Sequence, residues 1–93
     1  MRAVYEGVAI AESDTTIEVE GNQYFPPDSV RQDRLVQSET TSYCPWKGTA
    51  SYYHVRVNDK VSEDAAWYYP SVKEEAKHFE GYVAFWKDVK IEA

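Results

Sequence analysis

The chain of 93 residues contains a single cysteine, Cys44, and only two histidines, His54 and His78. One cysteine can form neither an intramolecular disulfide nor a zinc site built from several thiolates. The two histidines are far apart in the sequence, and neither has a partner at the spacing of metal ligands. We therefore expect no bound metal and no cofactor.

Long apolar runs are also absent. No stretch approaches the length of a membrane span. The N-terminus lacks the apolar segment of a secretory signal and has an acid, Glu6, where that segment would begin. These absences predict a protein of the reducing cytoplasm that does not insert into a membrane.

Basic residues are in the minority. The chain has 10 Lys and Arg against 16 Asp and Glu, which gives a formal net charge of -6. Proteins that bind nucleic acids generally, or adsorb to anionic membranes, need an excess of basic side chains. We therefore expect neither partner. The expected partner is a small molecule, and the expected state is a monomer or a homodimer.

Several signatures of catalysis are missing as well. The four glycines are isolated from one another, so no glycine-rich phosphate loop is present. No pair of carboxylates has the spacing of a two-metal site, and no Ser-His-Asp arrangement can be assigned. The catalytic residues, if there are any, stay unknown at this level.

Aromatic residues, in contrast, are abundant, at 15% of the chain, and 43% of all residues are hydrophobic. This composition is sufficient for one modest core, and the length predicts a single domain over residues 1–93. Eleven of the fourteen aromatic residues lie between Tyr43 and Trp86. That half of the chain is expected to supply the core and any pocket.

Alternation of apolar and polar residues predicts a mainly β, compact, antiparallel sheet or barrel-like fold. The expected strands are residues 3–11, 16–20, 24–25, 35–36 and 49–57, followed by a strand pair from Val61 and residues 65–69 and by one or two closing strands from residues 82–86 and 89–91. The polar stretch 38–42 is expected to be a loop. Pro26 and Pro27 should end the strand before them. Ser71 and Glu74 form a capping-box pattern that predicts one short helix over residues 71–80.

The strand over residues 49–57 shows the clearest alternation. Ser51, Tyr53, Val55 and Val57 share one face, and Tyr52, His54 and Arg56 share the other. Every side chain of the second face has a polar tip. This face is therefore a candidate lining for a partly wet surface or pocket.

Residues 44–48 admit several functional interpretations. Cys44 can be a nucleophile whose thiolate is favoured by Lys47, or a small buried hydrophobe beside a tight turn. Lys47 can bind an anionic group with the hydroxyls of Thr49 and Ser51, or it can be solvated. Trp46 can be a wall on which a planar ligand stacks.

The stretch 64–70 combines two alanines with Trp67, Tyr68 and Tyr69. Such a strand packs in a core or is approached closely by a ligand, and Trp and Tyr prefer places where one end stays wet. Asp64 can orient a hydroxyl or act as a base, or it can cap a turn.

Residues 24–26, 44–53, 64–70 and 81–85 together resemble one family, the small bacterial domain-of-unknown-function family numbered four hundred and twenty-seven. The resemblance covers nearly the whole chain. It implies a compact, mostly antiparallel β domain of β-tent-like fold, and the family carries a nucleotidyltransferase-like label. Several β-tent relatives hold zinc on paired cysteines, which this chain lacks.

Some β-tent domains hold a small ligand in an aromatic cage. By analogy of fold, the resemblance implies a cage of Trp46, Trp67 and Tyr69, with Lys47, Ser51 and Asp64 at its edge and Tyr52 on the adjoining strand.

Three hypotheses about function follow. The leading one is a binding module with an aromatic-walled pocket for a small planar or anionic ligand. The second is a small enzyme, nucleotidyltransferase-like or dependent on Cys44. The third is a protein–protein interaction domain.

Overall fold

The computed structural model describes every residue from 1 to 93, and more than half of them lie in β-strands. The nine strands are β1 (Arg2–Tyr5), β2 (Val8–Glu12), β3 (Ile17–Val19), β4 (Asn22–Tyr24), β5 (Leu35–Cys44), β6 (Gly48–Val57), β7 (Lys60–Tyr68), β8 (Val83–Phe85) and β9 (Lys90–Glu92). Short 3-10 segments lie at Pro27–Ser29, Gln32–Arg34 and Glu74–Phe79. No helical segment has the length and apolar composition that crossing a membrane requires.

The strands form three sheets. Their orders are β2-β1-β9, β3-β4 and β5-β6-β7-β8. All the pairings between these strands are antiparallel. The predicted mainly β, antiparallel fold class is therefore confirmed.

Two tight turns change the strand pattern expected near the N-terminus. Glu6 and Gly7 both have positive φ, 50° and 76°, and they join β1 to β2 as a two-residue hairpin turn. The prediction of one strand over residues 3–11 was therefore wrong. Tyr5 and Val8, which flank the two-residue turn, lie opposite each other and share one face of the sheet, so the period-two phase shifts by one residue there and Val4 does not share a face with Val8. The strand predicted at residues 16–20 is β3, which pairs with β4 rather than with the preceding segment.

The polar stretch at residues 38–42 was predicted to be a loop, and this was wrong. It lies inside β5, a ten-residue strand at the edge of the four-stranded sheet. Because an edge strand is open to solvent, its side chains need not be apolar, and the hydroxyl-rich sequence therefore gave no strand signal. Within β5, the sequence pattern indicates a strand only at residues 35–36.

A short helical segment lies within residues 71–80 as predicted, but the predicted start and cap at Ser71 are wrong. The structure has a 3-10 segment over Glu74–Phe79, preceded by Lys73, and no side chain caps it. The backbone N–H of Lys73 donates to the carbonyl of Lys47 at 3.2 Å. This bond ties the chain before Glu74 to the β5–β6 connection in an extended form, so Ser71 does not start a helix.

The four-stranded sheet has a core on each face. Neighbours in β8 show this directly, because Val83 and Phe85 belong to one cluster and Ala84 to the other. The first core consists of Ala3, Tyr5, Ile10, Ala11, Phe25, Val30, Val55, Val57, Ala65, Ala66, Val83, Phe85 and Val89. The second core consists of Val19, Tyr24, Ala50, Tyr69, Ala76, Phe79 and Ala84.

The two faces are covered by different elements. The β2-β1-β9 sheet packs on the first face, and the β3-β4 hairpin with the segment Glu74–Phe79 packs on the second. In β6, Tyr53 packs against the first core and Tyr52 against the second, which confirms the predicted alternation. The covering of the second face is small, and the candidate functional site lies there.

Gly48 begins β6 at a place that requires glycine. Its φ is 116°, and a Cβ atom there would lie 3.1 Å from the carbonyl oxygen of Ser71. Backbone atoms cannot rotate away from such a contact. The segment that approaches Gly48 is the one that Lys73 fixes to the carbonyl of Lys47.

We expect Gly48→Ala to lower the free energy of unfolding by about 1–3 kcal/mol, because it adds backbone strain and a contact with a fixed carbonyl. Gly7→Ala is the matched control, since Gly7 also has positive φ but has no atom within 4 Å of its Cβ position. Chemical denaturation of both variants measures the difference. Equal losses of unfolding free energy in the two variants would show that the close approach of residues 71–72 to Gly48 does not affect stability.

Candidate functional site

The second face of the large sheet carries an open cleft of about 270 Å³ beside the second core. We call it the aromatic cleft. It is lined by Asn22, Lys47, Tyr52, Trp67, Tyr69 and Trp86. Four of these six side chains are aromatic, and they come from β6, β7 and the residues that follow β7 and β8.

Strand register sets the aromatic walls beside one another. Tyr52 pairs with Trp67, and Trp67 pairs with Ala84, so the three side chains form a row across β6, β7 and β8. The small side chain of Ala84 leaves room beside the indole of Trp67. Trp86 follows β8, and its ring meets Trp67 edge to face, with 5.7 Å between centroids and 79° between planes.

Most of the polar ends of these walls have internal partners. The indole N–H of Trp67 donates to the hydroxyl of Tyr24 at 3.1 Å, and that of Trp86 donates to the carbonyl of Asp64 at 2.6 Å. The hydroxyl of Tyr52 shares a hydrogen bond of 2.9 Å with Ser42. The walls therefore offer a ligand chiefly the faces and edges of their rings.

Lys47 is the charged group of the aromatic cleft. Only 6% of the residue is exposed, and its ammonium bonds to the carboxylate of Glu20. The same nitrogen lies 5.3 Å from the ring centroids of both Trp46 and Tyr69. A carboxylate and two π faces thus replace much of the water that this ammonium loses.

The pKa values in this group follow from burial and from the ion pair. Burial by itself lowers the pKa of Lys47, but the hydrogen bond to Glu20 and the neighbouring oxygens raise it above the ordinary lysine range. The hydrogen bond to Lys47 holds the pKa of Glu20 below its usual range. Burial raises the pKa of Tyr24 and of Tyr69, against the opposing effect of Lys47. The pair is charged at neutral pH, and both phenols are protonated.

The residues predicted for the site are divided between the aromatic cleft and its surroundings. Lys47, Tyr52, Trp67 and Tyr69 line the cleft together. Trp46 does not line it. Its ring packs on Phe79 with 6.1 Å between centroids, and it contacts the ammonium of Lys47.

Ser51 and Asp64 also lie outside the lining. Ser51 pairs with Thr41 and Tyr68 in the sheet and does not point into the aromatic cleft with Tyr52. Asp64 is next to the cleft, because its carbonyl accepts the indole N–H of Trp86. Sequence reasoning missed Asn22, Trp86 and the counter-ion Glu20.

Cys44 ends β5 opposite Gly48, partly buried against the second core. The ammonium proposed to favour its thiolate is bonded to Glu20 instead. The structure places no three His, Cys, Asp or Glu side chains where they could share a metal ion.

Two bulges face each other beside the aromatic cleft. Residues 38–40 of β5 lie opposite Tyr52, and residues 63–65 of β7 lie opposite His54, so each strand has two residues more than β6 at these places. Asp64 has a positive φ of 53°, and its N–H donates to Nδ1 of His54 at 3.0 Å.

The carboxylate of Asp64 joins the two bulges across β6. It accepts hydrogen bonds from Ser38 at 2.5 Å and from Thr40 at 2.9 Å. The bond from Ser38, supported by that from Thr40, holds the pKa of Asp64 below its usual range against the effect of burial. Because the carbonyl of Asp64 bonds to Trp86, this network also positions one wall of the cleft.

These features define a small, mainly β domain with an aromatic cluster on one face of its largest sheet. The chain belongs to the family described as Domain of unknown function (DUF427), whose sequence profile matches residues 1–93. The resemblance inferred from the motifs is therefore confirmed. The short name of the profile carries a nucleotidyltransferase label. No curated protein matches the chain.

We expect Asp64→Asn to lower the free energy of unfolding by about 1–2 kcal/mol at pH 7, because two hydroxyl donors lose a charged acceptor. Asparagine is chosen because it tolerates the left-handed backbone that Asp64 adopts. Glu63→Gln is the control. This exposed neighbour makes no side-chain hydrogen bond, and its replacement should change stability by less than about 0.5 kcal/mol.

The effect of Asp64→Asn should depend on pH. The folded-state pKa of Asp64 lies below the unfolded value of about 3.9, so its contribution is complete above that value and is lost as the pH falls through the folded pKa. Denaturation at several pH values should show the two proteins converging in acid. A difference that stays constant down to pH values below the folded pKa would contradict an ionic role for Asp64.

Proposed function

We propose that this domain is a binding module whose aromatic cleft takes a small planar ligand of one ring or two fused rings. The observation that carries the proposal is the placing of four aromatic side chains and one buried ammonium around a single open cleft. Sites for small molecules characteristically combine apolar walls with a few polar groups that fix orientation.

The size of the aromatic cleft supports a ligand of this class. A dry cavity of about 150 Å³ holds benzene, whereas sites for larger drug-like molecules run from about 300 to 1,000 Å³. At about 270 Å³, the cleft lies between these two ranges. One bicyclic ring system with a small substituent would fill it.

The chemistry of the walls supports a flat ligand. Trp67 and Trp86 already meet edge to face, which leaves ring surface available for an offset or edge-to-face contact with a third ring. Trp86 is 47% exposed, so a ligand would remove a large apolar area from water at little structural cost. Asn22 and Lys47 supply the polar groups, and the acceptor edge of the ligand would point toward them.

The nucleotidyltransferase label of the family fits this proposal in one respect. A nucleobase is a planar ring system of suitable size, so a nucleotide belongs to the proposed ligand class. The cleft gives no support for the transfer step that the label implies, because none of the residues that line it has a carboxylate side chain.

We expect 2-naphthamide, a neutral planar probe, to bind in the aromatic cleft, and Trp86→Ala to weaken its binding about tenfold. Contact between a planar base and an aromatic side chain is worth about 1–3 kcal/mol. NMR titration measures both the affinity and the residues whose signals move. Tyr43→Ala is the matched control, because Tyr43 is 64% exposed and does not line the cleft.

Two outcomes would count against the proposal. The first is no binding of planar probes to the wild-type protein. The second is equal binding by the wild type and Trp86→Ala. If Trp86→Ala instead changed the sedimentation behaviour, the exposed indole would be a protein contact, as an interaction domain requires.

A further inference from the structure

We infer that Glu20 is a built-in counter-ion that occupies the anion site of the aromatic cleft, and that the ligand is an aromatic carboxylate whose acid group replaces it on Lys47. This inference rests on the proposed function, because it assumes that the ring of the ligand lies in the cleft. It adds the chemical class of the ligand and the residue with which that ligand competes.

The first step is the burial of Lys47. Its ammonium lies among Glu20, Trp46 and Tyr69, and the residue is only 6% exposed while lining the cleft. A buried charge is costly unless an opposite charge compensates it. Any arrangement of this site, free or bound, must therefore keep an anion on Lys47.

The second step is the asymmetry of the ion pair. The side chain of Glu20 is 54% exposed, whereas that of Lys47 is 8% exposed. Glu20 is attached at the tip of the β3–β4 hairpin, in a two-residue turn with φ of 55°. Because it is already half in water, its carboxylate can leave Lys47 and become fully hydrated at small cost.

The third step is the exchange itself. When a ligand carboxylate replaces that of Glu20, one hydrogen bond between ammonium and carboxylate forms and an equivalent one breaks. The desolvation of Lys47 is unchanged, since it is already buried in the free protein. The ring contacts with Trp67 and Trp86 are then gained in addition, and they decide the balance in favour of the ligand.

The charge of the site favours a monovalent acid. Lys47 is the only cationic side chain among the six that line the cleft, and the chain as a whole carries a formal charge of -6. One carboxylate restores the neutrality that Glu20 provides, whereas a dianion would add uncompensated negative charge. Asn22, which follows Glu20 across the same turn, also lines the cleft and has a side-chain amide that can donate to a carboxylate.

The test compares 2-naphthoate with its neutral analogue 2-naphthamide. We expect Glu20→Gln to raise the affinity for 2-naphthoate about tenfold or more, because the internal competitor is gone. The affinity for 2-naphthamide should change by less than about twofold, since no acid group is exchanged. Isothermal titration or NMR titration of both probes measures the ratio.

Glu18→Gln is the matched control. It changes the net charge by the same amount, but Glu18 is on β3 and bonds to Gln23 rather than to Lys47. An equal gain for 2-naphthoate in both variants would mean a general charge effect and would overturn the inference. Unchanged 2-naphthoate binding in Glu20→Gln would overturn it as well.

A measurement on the wild-type protein removes any dependence on the folding of the variant. The carboxyl carbon of Glu20 reports by NMR whether its ion pair is intact. We expect 2-naphthoate to release Glu20 and to return its pKa toward the ordinary range, and 2-naphthamide to leave it low. If 2-naphthoate occupied the cleft while Glu20 stayed on Lys47, the inference would fail and the proposed function would stand. If neither probe bound, both would fail.

Discussion

The ammonium of Lys47 has been taken out of water, and a charge in that position is tolerated only where opposite charge and polarisable surface surround it. Several elements of the fold meet this requirement together. The β3–β4 turn brings Glu20, the β5–β6 connection holds Lys47 beside Trp46, and the end of β7 brings Tyr69. The carbonyl of Lys47 also fixes Lys73, and through it the segment that precedes Glu74–Phe79. Lys47, through its ammonium and its backbone carbonyl, thus joins parts of the chain that are distant in sequence.

The second constraint on the site is the irregularity of its largest sheet. The bulges of β5 and β7 are joined by the carboxylate of Asp64, whose carbonyl holds the indole of Trp86. Without the bulges, β6, β7 and β8 would still place Trp67 beside Tyr52 and Ala84, but the bond that holds the indole of Trp86 as an outer wall would be missing. Trp86 follows the last residue of β8. Its position therefore depends on the bond from its indole N–H to the carbonyl of Asp64 and on the bond from its backbone N–H to the carbonyl of Ala65. The same polar network therefore stabilises the sheet and shapes the aromatic cleft.

The two halves of the site have complementary physical roles. The wall of Trp67 and Trp86 is positioned by a hydrogen bond from each indole N–H, and it supplies apolar area. The polar end is adaptable, since Glu20 is exposed and Lys47 can keep its charge with any carboxylate in the same place. Under the proposed function, a site with this division would recognise the shape of a ring through one end and a single negative charge through the other.

Sequence reasoning reached the parts of this arrangement that are encoded locally. The alternation of β6 was recoverable because Val55 and Val57 are buried on one face while Arg56 on the other face is exposed. Trp67, Tyr69 and Lys47 stood out as large or charged residues beside small ones. The turn at Glu6 was missed because glutamate gives no sign of the left-handed backbone that it adopts there.

The remaining misses share one physical cause. The Glu20–Lys47 pair spans 27 residues, and the Trp86 bond to Asp64 spans 22, so both are products of tertiary packing. The capping-box pattern at Ser71 was overridden in the same way, by the backbone bond between Lys73 and Lys47. Local propensity could not anticipate any of these contacts.

The ionisation of Lys47 tests the central claim most directly. NMR detection of its side-chain nitrogen during a pH titration gives its pKa, with the signal assigned by Lys47→Arg. An ammonium buried with its counter-ion should remain protonated well above the ordinary lysine value of about 10.4, and its protons should exchange slowly with water. A pKa at or below that value, with rapid exchange, would show that the ammonium is not held by Glu20 and would contradict this account of the site.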